Sequence, residues 1–456
     1  MKTLITETHK QQAISAIQRL VNIPSYLQES VPGAPFGQSI LEALKECLTL
    51  FQEEGFETFI DPEGYYGYAE IGEGDEIFGV LCHLDVVPAG DVSLWHTPPF
   101  EGIVENETIY GRGVQDDKGP TIAALYAVKA ILDAGLTLNK KIRFIFGTDE
   151  ENLWRCMAQY HKNEKSIDFG IAPDAQFPVI NAEKGLLQVY LTGEGTTEFT
   201  LTGGTALNVV SDTATYNGEH ADVIAQKLTE LGYDFTQNEQ EIIVKGKAVH
   251  SKDAAQGINA NTRLATAMAP FYDHDGLNFL GQLVKNDAHG TSVVGEMSDE
   301  ASGPLTFNVA TVSIDAHETK IGIDMRIPVT IDKERLVEKL IEKASEYGLT
   351  YEEYDFLDAL YVPADSELIT TLLGAYRDIT GDMRPPQVSG GATFARTMKN
   401  CVAFGAMFAQ TKDTMHQPNE AWPLAEMEQT MVIYAEAIAR LCCEEKSGCI
   451  TFSVDD

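Results

Sequence analysis

The 456-residue sequence contains no apolar run approaching the roughly 20 residues needed to cross a bilayer. Its start, Met1-Lys2-Thr3-Leu4, passes straight into an amphipathic helical pattern, without the apolar core of a signal peptide. Basic residues are scarce: 33 Lys and Arg stand against 69 Asp and Glu, a formal charge of −36. So negative a surface repels nucleic acid and anionic membranes, and neither is expected as a partner. Cysteine is sparse and shows no pairing pattern. The seven cysteines (47, 82, 156, 401, 442, 443 and 449) are an odd number without CxxC spacing, which suits free thiols in a reducing compartment. Cys442, Cys443 and Cys449 have no histidine nearby, so helix packing is expected of them rather than metal binding. Internal repeats and low-complexity tracts are also missing. What is present, 44% hydrophobic and 22% charged residues, is the composition of a soluble globular protein. The expected location is the cytoplasm, and the length calls for two or more domains.

The order of periodic segments refines this. Glu7 to Asn22 and Ser39 to Glu54 carry apolar residues at helical spacing. Ile77 to Cys82, Ile142 to Gly147 and Phe169 to Ala172 read as buried strands. Between the first two, Thr121 to Leu132 reads as an apolar helix with Pro120 in its first turn. Such strand–helix–strand alternation predicts a mostly parallel central sheet flanked by helices. From about Gly185 the strands alternate apolar with polar (Leu186 to Leu191, Glu198 to Leu201, Glu241 to Val244), the pattern of a sheet with one wet face. Ile321 to Ile327 and the helix Lys333 to Tyr347 continue that style. After about Leu360 the buried texture returns, with a helix at Glu367 to Thr380, a strand at Cys401 to Phe408 and a helix at Leu424 to Cys442. The expected architecture is α/β: a discontinuous catalytic domain of residues 1–183 and 361–456, with an inserted α+β lid of residues 184–360.

Histidines and carboxylates gather where strands end. The first buried strand runs into His83-Leu84-Asp85, the second into Asp149-Glu150-Glu151, and the third into Pro173-Asp174. Cys401 to Phe408 leads to a loop with His416, and Asp116-Asp117 precedes the Thr121 helix. Ligands of open α/β sheets bind beyond the carboxyl ends of the strands, so these groups should converge on one edge. Two histidines with several carboxylates suit Zn²⁺, Mn²⁺ or Co²⁺ and lack the thiolates of a structural zinc site. Two neighbouring cations need a shared anionic ligand, which one aspartate can supply, and a free carboxylate beside them can take a proton from water. At the Asp116-Asp117 pair either residue could ligate, the other acting as a helix cap.

Three stretches together resemble the M20 metallopeptidase family, and within it the PepV-type bacterial dipeptidases. They are His83-Leu84-Asp85-Val86-Val87-Pro88-Ala89-Gly90, Tyr110-Gly111-Arg112-Gly113-Val114-Gln115-Asp116-Asp117-Lys118-Gly119-Pro120 and Gly147-Thr148-Asp149-Glu150-Glu151. Pro173-Asp174-Ala175 and Ser389-Gly390-Gly391-Ala392-Thr393-Phe394-Ala395-Arg396 fit as well. The resemblance implies two divalent ions, Zn²⁺ or Mn²⁺, with His83 and Asp174 on one, Glu151 and His416 on the other, and Asp116 bridging. It implies Glu150 as general base, Asp85 as the residue orienting His83, and His250 as the lid histidine that steadies the oxyanion. Asn208, Arg326, Gly391 and Arg396 become the substrate-binding residues, the arginine at 326 taking a carboxylate, for which a guanidinium is apt. The segment Trp95-His96-Thr97-Pro98-Pro99-Phe100 departs from the usual acidic-Pro-Phe but removes no ligand.

A site closed between lid and metals takes short substrates, so the expected reaction is hydrolysis of unblocked dipeptides by a working monomer. Two other readings carry distinct signatures: an N-acyl-amino-acid deacylase, and a catalytically silent metal- or peptide-binding protein. The other histidines, at 9, 96, 161, 220, 274, 289 and 317, match no motif and are expected at the surface or in packing.

Overall fold

The buried strands Ile77–His83, Lys141–Gly147, Phe169–Ala172 and Cys401–Ala403 of the first of two units lie side by side in one sheet. The computed structural model describes residues 4–444, so Cys449 lies outside the described residues. One unit consists of the residues up to Asn181, Val362–Gln387 and those from Thr393 onward; the other is Ala182–Tyr361 with Val388–Ala392.

The first unit's sheet runs in the order Glu57–Ile60, Tyr66–Ile71, Lys141–Gly147, Ile77–His83, Phe169–Ala172, Cys401–Ala403. The pairings from Lys141–Gly147 to Cys401–Ala403 are parallel, and the Glu57 and Tyr66 strands form an antiparallel edge. Ile77–His83 is buried at every position, as a central parallel strand covered on both faces must be. The helix Lys118–Asp133 is apolar nearly all round, and it packs between Glu7–Val21 and Leu424–Cys442. Glu7–Val21 starts at Thr6, whose side chain accepts from the His9 N–H, satisfying one of the orphan donors of its first turn. Gln38–Glu53 brings Phe51 against Phe144 and Phe146, with ring centroids 4.8 Å apart in both pairs.

One expected strand is broken. Cys401 to Phe408 forms two short strands, Cys401–Ala403 beside Phe169–Ala172 and Ala406–Met407 beside Ala175–Gln176. The break falls at Gly405, whose φ of +69° a strand cannot continue, and a Cβ there would lie 2.3 Å from the Phe177 ring. Apolar composition alone did not disclose it.

The second unit is built on an eight-stranded antiparallel sheet, ordered Phe235–Asn238, Glu241–Lys245, Thr213–Gly218, Phe199–Gly203, Thr306–Ile314, Glu318–Ile327, Gly185–Glu194, Thr350–Leu357. Gly185–Glu194 alternates between buried and half-buried positions, as its sequence pattern predicts. Glu318–Ile327 does not: from Gly322 on every residue is buried. The polar side chains that should have been wet are paired instead, Arg326 with Asp324 and Asp324 with Gln188. Ala221–Leu231 and Ala260–Met268 pack on this sheet. Among the described residues no helix is long and apolar enough to cross a membrane.

Candidate metal centre

The parallel strands deliver their terminal side chains to one place. His83 closes its strand and is almost wholly buried; its Nε2 lies 2.8 Å from Asp116 Oδ1 and 3.6 Å from Asp174 Oδ2. The other oxygen of Asp116 faces His416, with Oδ2 at 2.9 Å from Nε2, and His416 Nε2 is also 3.0 Å from Glu151 Oε2. Two clusters result, His83–Asp116–Asp174 and Asp116–Glu151–His416, each with its ligand atoms within 4.8 Å of one another. Asp116 belongs to both and turns one oxygen to each. Asp117 enters neither. Its Oδ2 accepts from the His83 N–H at 3.2 Å and from the Thr121 hydroxyl at 3.3 Å, so it ties the strand end to the helix.

The donor set fits divalent cations. Nitrogen and oxygen ligands at about 2.0–2.1 Å from a tetrahedral ion stand about 3.3 Å apart, and the contacts here run from 2.8 to 3.6 Å. The charge balance points the same way. Asp85, Asp116, Glu150, Glu151 and Asp174 crowd around two histidines, and the nearest lysine in sequence, Lys118, turns its ammonium to the carbonyls of Leu20 and Ile23. Uncompensated carboxylates cannot stay ionised in a buried site. Burial pushes the Asp174 carboxyl up to about 7, with the Asp116 charge adding to it. Hydrogen bonds to Asp116 and Glu151 raise His416 to about 10. Burial alone would lower His83, but Asp116 and Asp174 outweigh it and hold the imidazole well above its ordinary value.

Glu150 stands beside the clusters without joining them. Burial drives its carboxyl well above the ordinary value, His83 opposing and the Asp174 and Asp116 charges adding. The turn that carries it is fixed by Asp85, whose two oxygens accept from the Glu150 and Glu151 N–H groups at 3.0 Å each. Asp85 meets His83 differently from the sequence expectation. The ring Nδ1 bonds the main-chain oxygen of Asp85 at 2.9 Å, while the carboxylate stays 3.7 Å away. The Glu150 carbonyl accepts from the Trp154 indole at 2.8 Å. Asp149 is wholly buried and binds Arg155 through two oxygens at 2.7 Å each, a role the acidic run by itself does not reveal. Phe394 seals the strand ends: it packs on Gly147, where a Cβ would come within 2.2 Å of its ring, and its centroid is 6.1 Å from that of His83.

The remaining expected residues divide between the units. Arg396 lies in the short helical turn Phe394–Thr397 of the first unit. Asn208, His250, Arg326 and Gly391 belong to the second. His250 Nδ1 accepts from the Lys252 N–H at 3.1 Å, which places the proton of the neutral ring on Nε2. The main-chain oxygen of Asn208 accepts from the Ser251 N–H at 2.9 Å, and its side chain is exposed. Arg326 is buried and already engaged, with Nε 2.8 Å and Nη2 3.1 Å from Asp324 and Nη1 2.8 Å from the Gly390 carbonyl. Gly391 N–H donates to Ser389 Oγ at 2.9 Å. Of the unassigned histidines, His9 is buried against Asp133 at 3.1 Å, and His96 bonds Asn419 at 2.7 Å.

Known proteins resemble the chain over nearly its whole length. The profile of peptidase family M20/M25/M40 matches residues 79–440. YtjP of Bacillus subtilis (strain 168), named as a candidate dipeptidase, is 36% identical over 458 residues, covering 95% of this chain and 97% of that protein. A similarly named Staphylococcus epidermidis protein is 34% identical, covering 96% and 98%. Among solved structures, the aminoacylhistidine dipeptidase of Vibrio alginolyticus aligns with a TM-score of 0.61 at 14% identity, covering 95% of this chain and 97% of that one. The M20 family metallo-carboxypeptidase Sso-CP2 of Sulfolobus solfataricus aligns at 0.57 and 18% identity, covering 95% and 99%. The structural likenesses bear on the fold, which is shared; the family profile and the sequence relatives settle membership, and the chain belongs to peptidase family M20/M25/M40.

Proposed function

We propose that the protein is a metal-dependent dipeptidase that hydrolyses unblocked dipeptides. The observation that carries this reading is the pair of histidine–carboxylate clusters sharing Asp116, with a separate glutamate, Glu150, beside them. In this reading His83, Asp116 and Asp174 hold one cation, and Asp116, Glu151 and His416 the other, with Zn²⁺ or Mn²⁺ the fitting ions. Divalent cations in such a site polarise the scissile carbonyl and acidify water. Glu150 removes the proton of the attacking water as its oxygen bonds the carbonyl carbon, and passes that proton to the leaving nitrogen as the C–N bond breaks. Asp85 keeps Glu150 and Glu151 aimed by holding their N–H groups. His250 donates Nε2–H to the oxyanion. Arg326 uses three of its five N–H donors within its own unit, and the other two serve the substrate carboxylate, assisted by Asn208, Gly391 and Arg396.

We assign residues 184–360 the role of a lid that limits substrate length, in a chain that works as a monomer in the cytoplasm. Amine release from a panel of free dipeptides and N-acyl amino acids tests the reading. Cleavage of free dipeptides with the acylated compounds spared is the expected result; cleavage of acylated amino acids alone identifies a deacylase, and silence on both panels a binding protein.

A further inference from the structure

Two loops 300 residues apart in sequence supply the shared aspartate and the second histidine, and their side chains are interlocked. From the loop after His416, Glu420 sends a fully buried carboxylate back under the Asp116 loop. Its Oε1 accepts from the N–H groups of Gly113 at 3.1 Å, Gln115 at 2.8 Å and Asp116 at 3.3 Å, and its Oε2 accepts from Arg112 Nη1 at 2.7 Å. In the opposite direction, the fully buried Gln115 reaches into the His416 loop. Its amide Nε2 donates to the carbonyls of Lys412 at 3.0 Å and Ala421 at 2.6 Å, and its Oε1 accepts from the Thr414 N–H at 3.0 Å. Main-chain bonds finish the seam: Gly111 N–H donates to Glu420 O, and Ala421 pairs with Tyr110.

We infer that Gln115 and Glu420 are positioning residues that set the distance between Asp116 and His416, and so assemble the second metal's ligands. The inference rests on the ligand roles proposed above. Every polar atom of the two side chains is spent on the opposite loop, and neither residue belongs to a ligand cluster. The arrangement is also intolerant of near-isosteres. A glutamine at 420 carries an NH₂ that meets a donor whichever way it turns, either Arg112 or three backbone N–H groups. A methionine at 115 takes the amide donor from the Lys412 and Ala421 carbonyls and leaves the buried Thr414 N–H without its acceptor. Outer partners of metal ligands act on affinity by about 10–100-fold when removed.

Mn²⁺ binding counted by electron paramagnetic resonance, with dipeptide kinetics on the same samples, tests the inference. The wild type should bind two Mn²⁺; fewer than two overturns the ligand assignment itself, before any variant is considered, and the clamp with it. Given two, Glu420→Gln and Gln115→Met should each bind the second equivalent at least tenfold more weakly and lose at least tenfold in kcat, with KM within threefold of wild type. Tyr160→Phe is the control for mere destabilisation, because it removes a buried bond to Arg143 that involves neither loop of the seam and should leave both Mn²⁺ affinities unchanged. If Glu420→Gln does not fold, Gln115→Met decides alone. Wild-type affinity for the second Mn²⁺ and wild-type kcat in the folded variants overturn the inference, as does an equal loss in Tyr160→Phe.

Discussion

Replacing Glu150 by glutamine removes one charge and one proton acceptor while leaving the rest of its turn intact. The main-chain N–H still reaches Asp85 at 3.0 Å, and the carbonyl still accepts from Trp154 at 2.8 Å. Glu150 belongs to neither ligand cluster, so both cations should stay in place. The change therefore isolates proton transfer. A positioned general base contributes about 10²–10⁴-fold, equivalent to about 3–5 kcal/mol on the barrier. The Glu150→Gln variant should lose that factor in kcat, keep KM within a few-fold, and retain the wild-type metal content by elemental analysis after dialysis. Stopped-time assays of amine release from a dipeptide read the first two quantities. Hydrolysis at the wild-type rate with both metals bound would refute the assignment of Glu150. Loss of a metal together with the activity would refute its separateness from the ligand sets.

Asp116→Asn should cost the protein at least one of the two cations proposed for it, because the carboxylate turns one oxygen to each histidine; a variant retaining both after dialysis contradicts the shared role. In the second unit, Asp324→Ala leaves the buried Arg326 guanidinium without its counter-charge, and breaking such a pair costs about 3–5 kcal/mol; urea unfolding should show it, and a shift below 1 kcal/mol would show the pair to be dispensable. The sign of one pH effect follows from Asp299. Burial raises its carboxyl, but the Thr330 and Ser302 N–H groups outweigh burial and hold it below the ordinary 3.8. Its contribution to stability is present above that value and is lost as pH falls through the native one. Asp299→Asn should therefore flatten the acid-side fall of stability in the second unit, measured by urea midpoints between pH 5 and 3 (a range set around the ordinary carboxylate value); an unchanged slope contradicts the argument.

Much of the first unit could be read from sequence because its strands are buried on both faces and bear their functional side chains where they end. His83, Glu150, Glu151 and Asp174 all follow strands whose apolar runs are unambiguous. Asp116 and His416 sit on loops, where spacing is uninformative, and the family likeness carried them. The Asp116 or Asp117 alternative needed coordinates, since only the fold shows which carboxylate turns from the helix to the histidines. Contacts across 300 residues, such as Glu420 with the Gly113, Gln115 and Asp116 N–H groups, leave no local trace. The broken strand at Gly405 was hidden because Phe404 and Ala406 are as buried as any strand residue. No element is read from the sequence between Val244 and Ile321, where beside the helix Ala260–Met268 and the strand Thr306–Ile314 the chain uses short pieces: the four-residue helices Asp275–Asn278 and Thr291–Val294 and the π-helical turn Phe279–Val284. The substrate role expected of Arg326 came from the family likeness alone, and its pairing with Asp324, two residues away on the same strand, needed coordinates.

The most direct test of the central claim is dipeptide hydrolysis by chelated enzyme refilled stepwise with Zn²⁺ or Mn²⁺, plotted against metal equivalents per chain. Two clusters sharing Asp116 predict no cleavage of a free dipeptide by the chelated protein and full activity at two equivalents. Cleavage that survives complete chelation, or none with two ions bound, would contradict the account.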